Sequence, residues 1–181
     1  MTAPSPVRDG ILAALPSLRA FAISLAHDVT LADDLVQETI LRALKHVDRF
    51  ELGTNLNAWL FTILRNLYFS YGRKKKREVE DGDGSYAARL STAPCQHDRL
   101  DIQDMRTALA KLPASQREAV LLVSASGFSY EEASSIMGVA VGTVKSRVNR
   151  GRVTLARLLS IEGAEDLGTD QHTRAALQVA A

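Results

Sequence analysis

Residues 138–152, GVAVGTVKSRVNRGR, carry Lys145, Arg147, Arg150 and Arg152 without a single acid, in a chain whose formal net charge is only +1. A row of cations repels itself, so the pattern anticipates an anionic partner unless it is merely a solvated helix face. At about 100° per residue, Val141, Val144, Val148, Leu155 and Leu159 fall on one side of a helix. Thr143, Arg147 and Arg150 fall together on another, with Lys145 and Arg152 along a flank and Ser146 between. Arginine pairs bidentately with guanine in a major groove, whereas lysine and flanking arginine suit phosphates.

A second basic run, RKKKR at 73–77, closes the segment NLNAWLFTILRNLYFSYGRKKKR (55–77). Leu56, Trp59, Leu60, Ile63, Leu64 and Leu67 form its inner side, leaving Phe61, Arg65, Tyr68 and Phe69 on the opposite half. Aromatics interleaved with basic residues suit the unstacked bases and backbone of a single strand. Packing of Phe61 or Phe69 on neighbouring helices is the competing reading. A third constellation, DDLVQETILRAL (33–44), sets Asp34, Glu38, Leu41 and Lys45 on one face, opposite a core stripe of Val36, Ile40, Ala43, Leu44 and Val47. A leucine among exposed charges fits a docking surface for a basic or amphipathic partner helix.

The elements that position these groups read as helices. Ser129 and Glu132 make an S-x-x-E capping box, Gly138 supplies a tight turn, and a second helix starts near Val141. Helix, short glycine turn, helix is the layout of a helix-turn-helix whose second helix enters a major groove. Upstream, Ile102, Met105, Leu109 and Leu112 form a stripe stopped by Pro113, and Ser115 with Glu118 predicts another capping box before AVLLV. In the front half, Ile11, Leu15, Leu18, Ala22 and Leu25 recur at helical steps, with Pro16 expected to break that stretch or open its second part. Thr30 and Asp33 predict a cap for a helix over 31–46, and Asn55 a cap for one ending at Gly72.

The 181-residue chain is 46% hydrophobic, enough for a buried core, and has no convincing strand pattern. The expected fold is all-α: a helical bundle over 1–77, a flexible linker over 78–100, a helix-turn-helix bundle over 101–160 and a mobile tail over 161–181. The lone Cys95 permits no intrachain disulfide, and neither a secretion signal nor an uninterrupted membrane-length apolar run is evident, so a cytoplasmic location is expected. No phosphate-binding loop or zinc pattern occurs, and His27, His46, His97 and His172 are scattered. Asp33, Asp34 and Glu38 are acids on a surface helix, an arrangement that seldom holds a metal. The sequence therefore predicts no catalysis, metal or cofactor.

GFSYEEASSIMGVAVGTVKSRVNRGR resembles the promoter-reading region four of extracytoplasmic-function (ECF) sigma factors, bacterial RNA polymerase specificity subunits. Ala140 stands where the commonest family form has proline. The resemblance implies that Thr143, Lys145, Ser146, Arg147, Arg150 and Arg152 read the minus-35 element. DLVQET is similar to the region-two segment that grips the β′ clamp helices, implying polymerase contacts at Asp34, Gln37, Glu38 and Leu41; region four would meet the β flap. AWLFTILRN resembles the minus-10 melting region, implying strand contacts at Asn55, Asn57, Trp59, Arg65, Asn66, Arg73 and Lys74. Ser70, where many ECF factors carry aspartate, and the string RNLYFSYGRKKKREVED look like the alphaproteobacterial general-stress-response (EcfG-type) subgroup. That subgroup implies a small anti-sigma protein of the NepR type, counteracted by a PhyR-type response regulator.

Two other readings start from the same residues. A stand-alone helix-turn-helix repressor would use only 101–160 and give DLVQET no role. A sigma mimic that sequesters an anti-sigma factor normally carries a receiver domain, and this chain lacks the alternating strand–helix pattern to supply one.

Overall fold

Apolar residues at three- and four-residue steps make α1 (Ser5–Ala26) a core helix, with Ile11, Leu18, Phe21, Ala22 and Leu25 all buried. The structure, a computed structural model, describes residues 5–80 and 97–160. Pro6–Ala26 is long and apolar enough to cross a membrane, yet Val7, Ile11, Ala14, Leu18, Phe21, Ala22 and Leu25 are buried inside the fold. Contrary to expectation, α1 runs unbroken through Pro16. Pro16 is exposed, so its ring meets solvent rather than a neighbour, and Ser17 Oγ donates to the Ala14 carbonyl at 2.9 Å beside the gap in the ladder.

Helix α2 (Val29–Lys45) opens two residues earlier than Thr30 suggested: Asp28 is its N-cap and accepts from the Leu31 amide at 3.1 Å. It buries Ala32, Leu35, Val36, Thr39 and Ala43, while Leu44, assigned to the core stripe, is 38% exposed. The apolar stripe is rotated toward Leu35 and Thr39, whose hydroxyl is satisfied by the Leu35 carbonyl at 2.7 Å. After a 3-10 turn (Val47–Arg49), α3 (Leu56–Glu80) begins at the expected Asn55 cap, which accepts from the Ala58 amide at 3.1 Å. It does not stop at Gly72 but continues to Glu80, with Arg73, Lys74, Lys75 and Arg77 exposed along the extension. Helices α1, α2 and α3 pack on one another as a three-helix bundle.

The expected linker is thus entered by α3 up to Glu80 and left by α4 (His97–Lys111); residues 81–96 and the expected tail 161–181 lie outside the described residues. Helix α4 stops before Pro113, and α5 (Ala114–Val120) continues into a π turn (Leu121–Ala125). No Ser115–Glu118 box forms: Pro113 is the cap position, and Glu118 is buried at 1% exposure. Proline's fixed φ starts α5 without a side-chain cap, which leaves Glu118 for another partner.

Helix α6 (Tyr130–Met137) carries the expected box in full, with the Glu132 amide donating to Ser129 Oγ at 3.0 Å and the Ser129 amide donating to Glu132 Oε2 at 2.8 Å. Gly138 then takes φ 64°, a left-handed conformation that only glycine adopts cheaply. Helix α7 (Val141–Leu158) buries Val144, Val148, Gly151, Leu155 and Ala156 against α4, α5 and α6. Ala140 has φ −60°, the value proline enforces, so the turn forms without a proline. Gly151 lets α7 lie close against α5: a Cβ there would lie 2.5 Å from Val120 Cγ2.

No strand occurs among the described residues, and the fold is all-α. The two halves are not apart. Helix α6 packs on α3, and α4 and α5 touch α1, so one apolar core runs through both.

Candidate polymerase and nucleic-acid interface

Helix α7 presents the row expected to face a groove as the spacing requires. Lys145 and Arg150 are exposed, Thr143, Ser146 and Arg147 are half-buried, and Val144 and Val148 are sealed beneath them. Lys145 Nζ lies 5.5 Å from the Tyr130 ring centroid, which fixes its stem beside the turn. Ser146 Oγ donates to the Thr143 carbonyl at 2.9 Å. Arg152 is drawn inward: its Nη2 donates to Ser124 Oγ at 3.0 Å and its buried Nε has no protein partner.

On α2, Asp34, Gln37 and Leu41 are exposed, Leu41 at 57%. Leu41 and Leu44 are exposed apolar residues on a helix that also carries Asp34, Glu38, Arg42 and Lys45 outward, a surface that can receive an amphipathic helix. Glu38 pairs with Arg42 at 2.6 Å on the same helix, and Asp33 with Arg19 at 2.7 Å, which holds the Asp33 carboxyl below its ordinary value. No acid or histidine cluster able to hold a metal occurs among the described residues.

On α3 the expected strand-facing groups divide. Asn57, Asn66, Arg73 and Lys74 are exposed, with Arg73 Nη2 donating to Ser70 Oγ at 3.0 Å. Trp59 is half-buried, 5.3 Å from the Phe50 ring. Phe61 is not on an open face: at 1% exposure it sits between Phe21 and Phe128, with both centroid distances 4.9 Å. Its burial corrects the placement beside Tyr68 and Phe69, and the reason is α6, which covers this face. Phe69 remains half-buried under the Arg65 guanidinium at 4.8 Å.

Two of the expected strand contacts are engaged by the rear half. Arg65 Nε donates to the Glu118 carboxylate, with side-chain exposures of 21% and 1%. Asn55 Nδ2 donates to Glu132 Oε1 at 2.6 Å. Burial pushes the Glu118 carboxyl up from its ordinary value, opposed by the charges of Arg65 and Arg147. Glu132 is held low, first by the Ser129 amide and then by Asn55. Nearby, Arg117 Nη1 donates to His27 Nε2, joining α5 to the end of α1. Desolvation first, and the Arg117 charge second, lower His27 to about 4.

The sequence reading missed Glu118 and Arg117 as interface residues. The signal was present: both precede AVLLV directly, and one helical turn on from each lies Val120, Leu121 or Leu122, so both charges sit on an apolar surface. A charge placed there needs a buried partner.

Comparison with known proteins agrees with this layout. Residues 11–78 match Sigma-70 region 2, and residues 102–155 match Sigma-70, region 4. The chain is 61% identical over 94% of its length, and 94% of the relative's, to the ECF RNA polymerase sigma factor EcfG of Rhodopseudomonas palustris. It is 34% identical to the ECF sigma factor SigM of Bacillus subtilis, covering 76% of this chain and 85% of that one. Among solved structures, the sigma factor RpoE in complex with the anti-sigma factor NepR from Bartonella quintana superposes with TM-score 0.82 at 49% identity, covering 88% of this chain and 100% of that one. Both regions, in order, on one all-α scaffold place the chain in the family: it belongs to the ECF RNA polymerase sigma factors.

Proposed function

We propose that the chain binds core RNA polymerase and directs promoter-specific initiation, as a sigma factor of the general stress response. The observation that carries this reading is the 61% identity to an EcfG sigma factor across 94% of both chains. On this reading residues 1–77 are region two, 78–100 the linker, 101–160 region four and 161–181 a tail. Asp34, Gln37, Glu38 and Leu41 dock on the β′ clamp helices, and region four meets the β flap. Thr143, Lys145, Ser146, Arg147 and Arg150 read minus-35 duplex, with Arg152 beside them. The exposed Asn57, Asn66, Arg73 and Lys74, with Asn55, Trp59 and Arg65, hold the melted minus-10 strand. The chain makes no bonds itself; the polymerase does, in the cytoplasm. A NepR-type protein restrains it and a PhyR-type regulator relieves that restraint, a proposal supported by the 49%-identical sigma factor solved with NepR.

Holding two weak DNA contacts on one polymerase turns them into a selective one by effective concentration. With about three phosphates neutralised, the salt slope of the free chain on duplex is only about −2.7, so it binds DNA poorly alone. Run-off transcription with purified core polymerase on stress-type promoters tests the reading, and no promoter-specific transcript from any of them sinks it. Glu38→Lys should abolish polymerase binding without loss of helicity. A stand-alone repressor would instead bind duplex tightly without polymerase and tolerate Glu38→Lys.

A further inference from the structure

Lys145 is exposed near the start of α7, yet its Nζ stands over the Tyr130 ring at 5.5 Å from the centroid. Tyr130 opens α6 directly after the Ser129 cap, and its half-buried ring packs against the apolar core. The reciprocal capping box fixes that first turn, so backbone and core together set where the ring lies. Two carboxylates follow the ring in the chain, Glu131 and Glu132, and none of the ion pairs among the described residues joins either to Lys145. The difference matters chemically. A carboxylate partner would neutralise the ammonium and compete with a phosphate for it. A ring face attracts the ammonium through its quadrupole and leaves the whole positive charge for an anion. Lysine also carries a flexible four-carbon stem, and ordering that stem on binding opposes association. A ring that already holds the stem removes part of that opposition.

We propose that Tyr130 is a positioning residue for minus-35 binding: from the first turn of α6 its ring holds the Lys145 ammonium, still charged, ready for a promoter phosphate. The proposal rests on the assignment of α7 to the minus-35 duplex and adds to that site a residue from outside α7. Lysine acts there as a point charge on the backbone, whereas arginine reads base edges. Tyr130 therefore sets affinity and leaves sequence preference alone.

The test uses the full chain assembled with core polymerase and a labelled duplex from a stress-type promoter, carrying the minus-35 element and ending before minus-10. Binding is measured over a series of potassium chloride concentrations. Lys145→Ala should reduce the magnitude of the salt slope by about 0.9, the loss of one phosphate contact. Tyr130→Leu should weaken binding about two- to fivefold, equally on the native element and on one with a substituted base pair. The same change made on top of Lys145→Ala should have no effect. Tyr130→Phe should bind as wild type does, since the ring face survives. Equal loss from Tyr130→Leu with and without Lys145 overturns the proposal, because the ring would then act only through the fold. So does a loss from Tyr130→Phe as large as that from Tyr130→Leu, which would give the phosphate to the tyrosine hydroxyl. Should Tyr130→Leu fail to fold, phenylalanines of rising fluorination in place of Tyr130 keep the ring's shape while weakening its face. Affinity should then fall step by step, and a flat series overturns the proposal. The two ideas fail differently. Salt-sensitive promoter binding without coupling between Tyr130 and Lys145 removes the ring's role alone, whereas an unchanged slope for Lys145→Ala removes the phosphate assignment beneath it.

Discussion

His27 ends α1 in the left-handed region at φ 54°, a place where glycine or asparagine is the usual occupant. Its ring instead accepts from Arg117, so it must stay neutral in the fold. The sign follows. A histidine held at about 4 in the fold but at its ordinary 6.5 when unfolded supports the fold fully above pH 6.5 and loses that support as pH falls toward 4. His27→Asn tolerates the backbone and removes the titration, so the urea midpoint of wild type minus variant should decline between those two pH values. A flat difference would show that the ring carries no such linkage. Glu118, raised by burial, acts in the opposite sense by favouring its protonated form, which is why the difference and not the wild-type curve is the measurement. None of this was legible from His27 itself, since its partner is 90 residues away in sequence. By contrast Ser129, Glu132 and Gly138 were readable outright, because a capping box and a glycine turn are written in adjacent residues.

At the scale of helices, periodicity and caps located the seven α-helices of the described residues but missed the 3-10 turn Val47–Arg49 and the π turn Leu121–Ala125, and misjudged the boundaries that local propensity sets. Pro16 reads as a break, yet packing of Ile11, Leu18 and Phe21 holds α1 through it. An interior proline costs about 3 kcal/mol relative to alanine. Pro16→Ala should therefore stabilise the chain by about 1–3 kcal/mol in denaturant unfolding, the lower figure applying where the helix already bends to accommodate the ring. Gly151 gives the reverse case. Alanine there gains about 1 kcal/mol of helix propensity but drives a methyl group against Val120, and overpacking costs about 1–3 kcal/mol. Overpacking should win, because the α5 backbone at Gln116 closes the other side at 3.4 Å. Gly151→Ala should lower the melting temperature, and an unchanged or higher value would mean that α5 can slide away.

For the molecule as a whole, the all-α class and the order of the two regions were legible, since apolar spacing and short motifs are local properties. The embrace of the halves was not, because Arg65–Glu118 and Phe61–Phe128 join positions that no periodicity relates. A core continuous from Phe21 to Phe128 predicts that thermal unfolding of wild type is a single transition by calorimetry and by far-ultraviolet dichroism. Two resolved transitions would mean that the halves melt independently. The row Phe21–Phe61–Phe128 carries one more consequence. A chain whose halves have parted and found no polymerase shows water a ring that was 99% hidden, and such surface adheres to its own kind. Surplus unpartnered protein would then be lost to clumping at a rate that climbs with concentration, so the same phenylalanines that tie the halves together also cap how much parted protein a cell can carry.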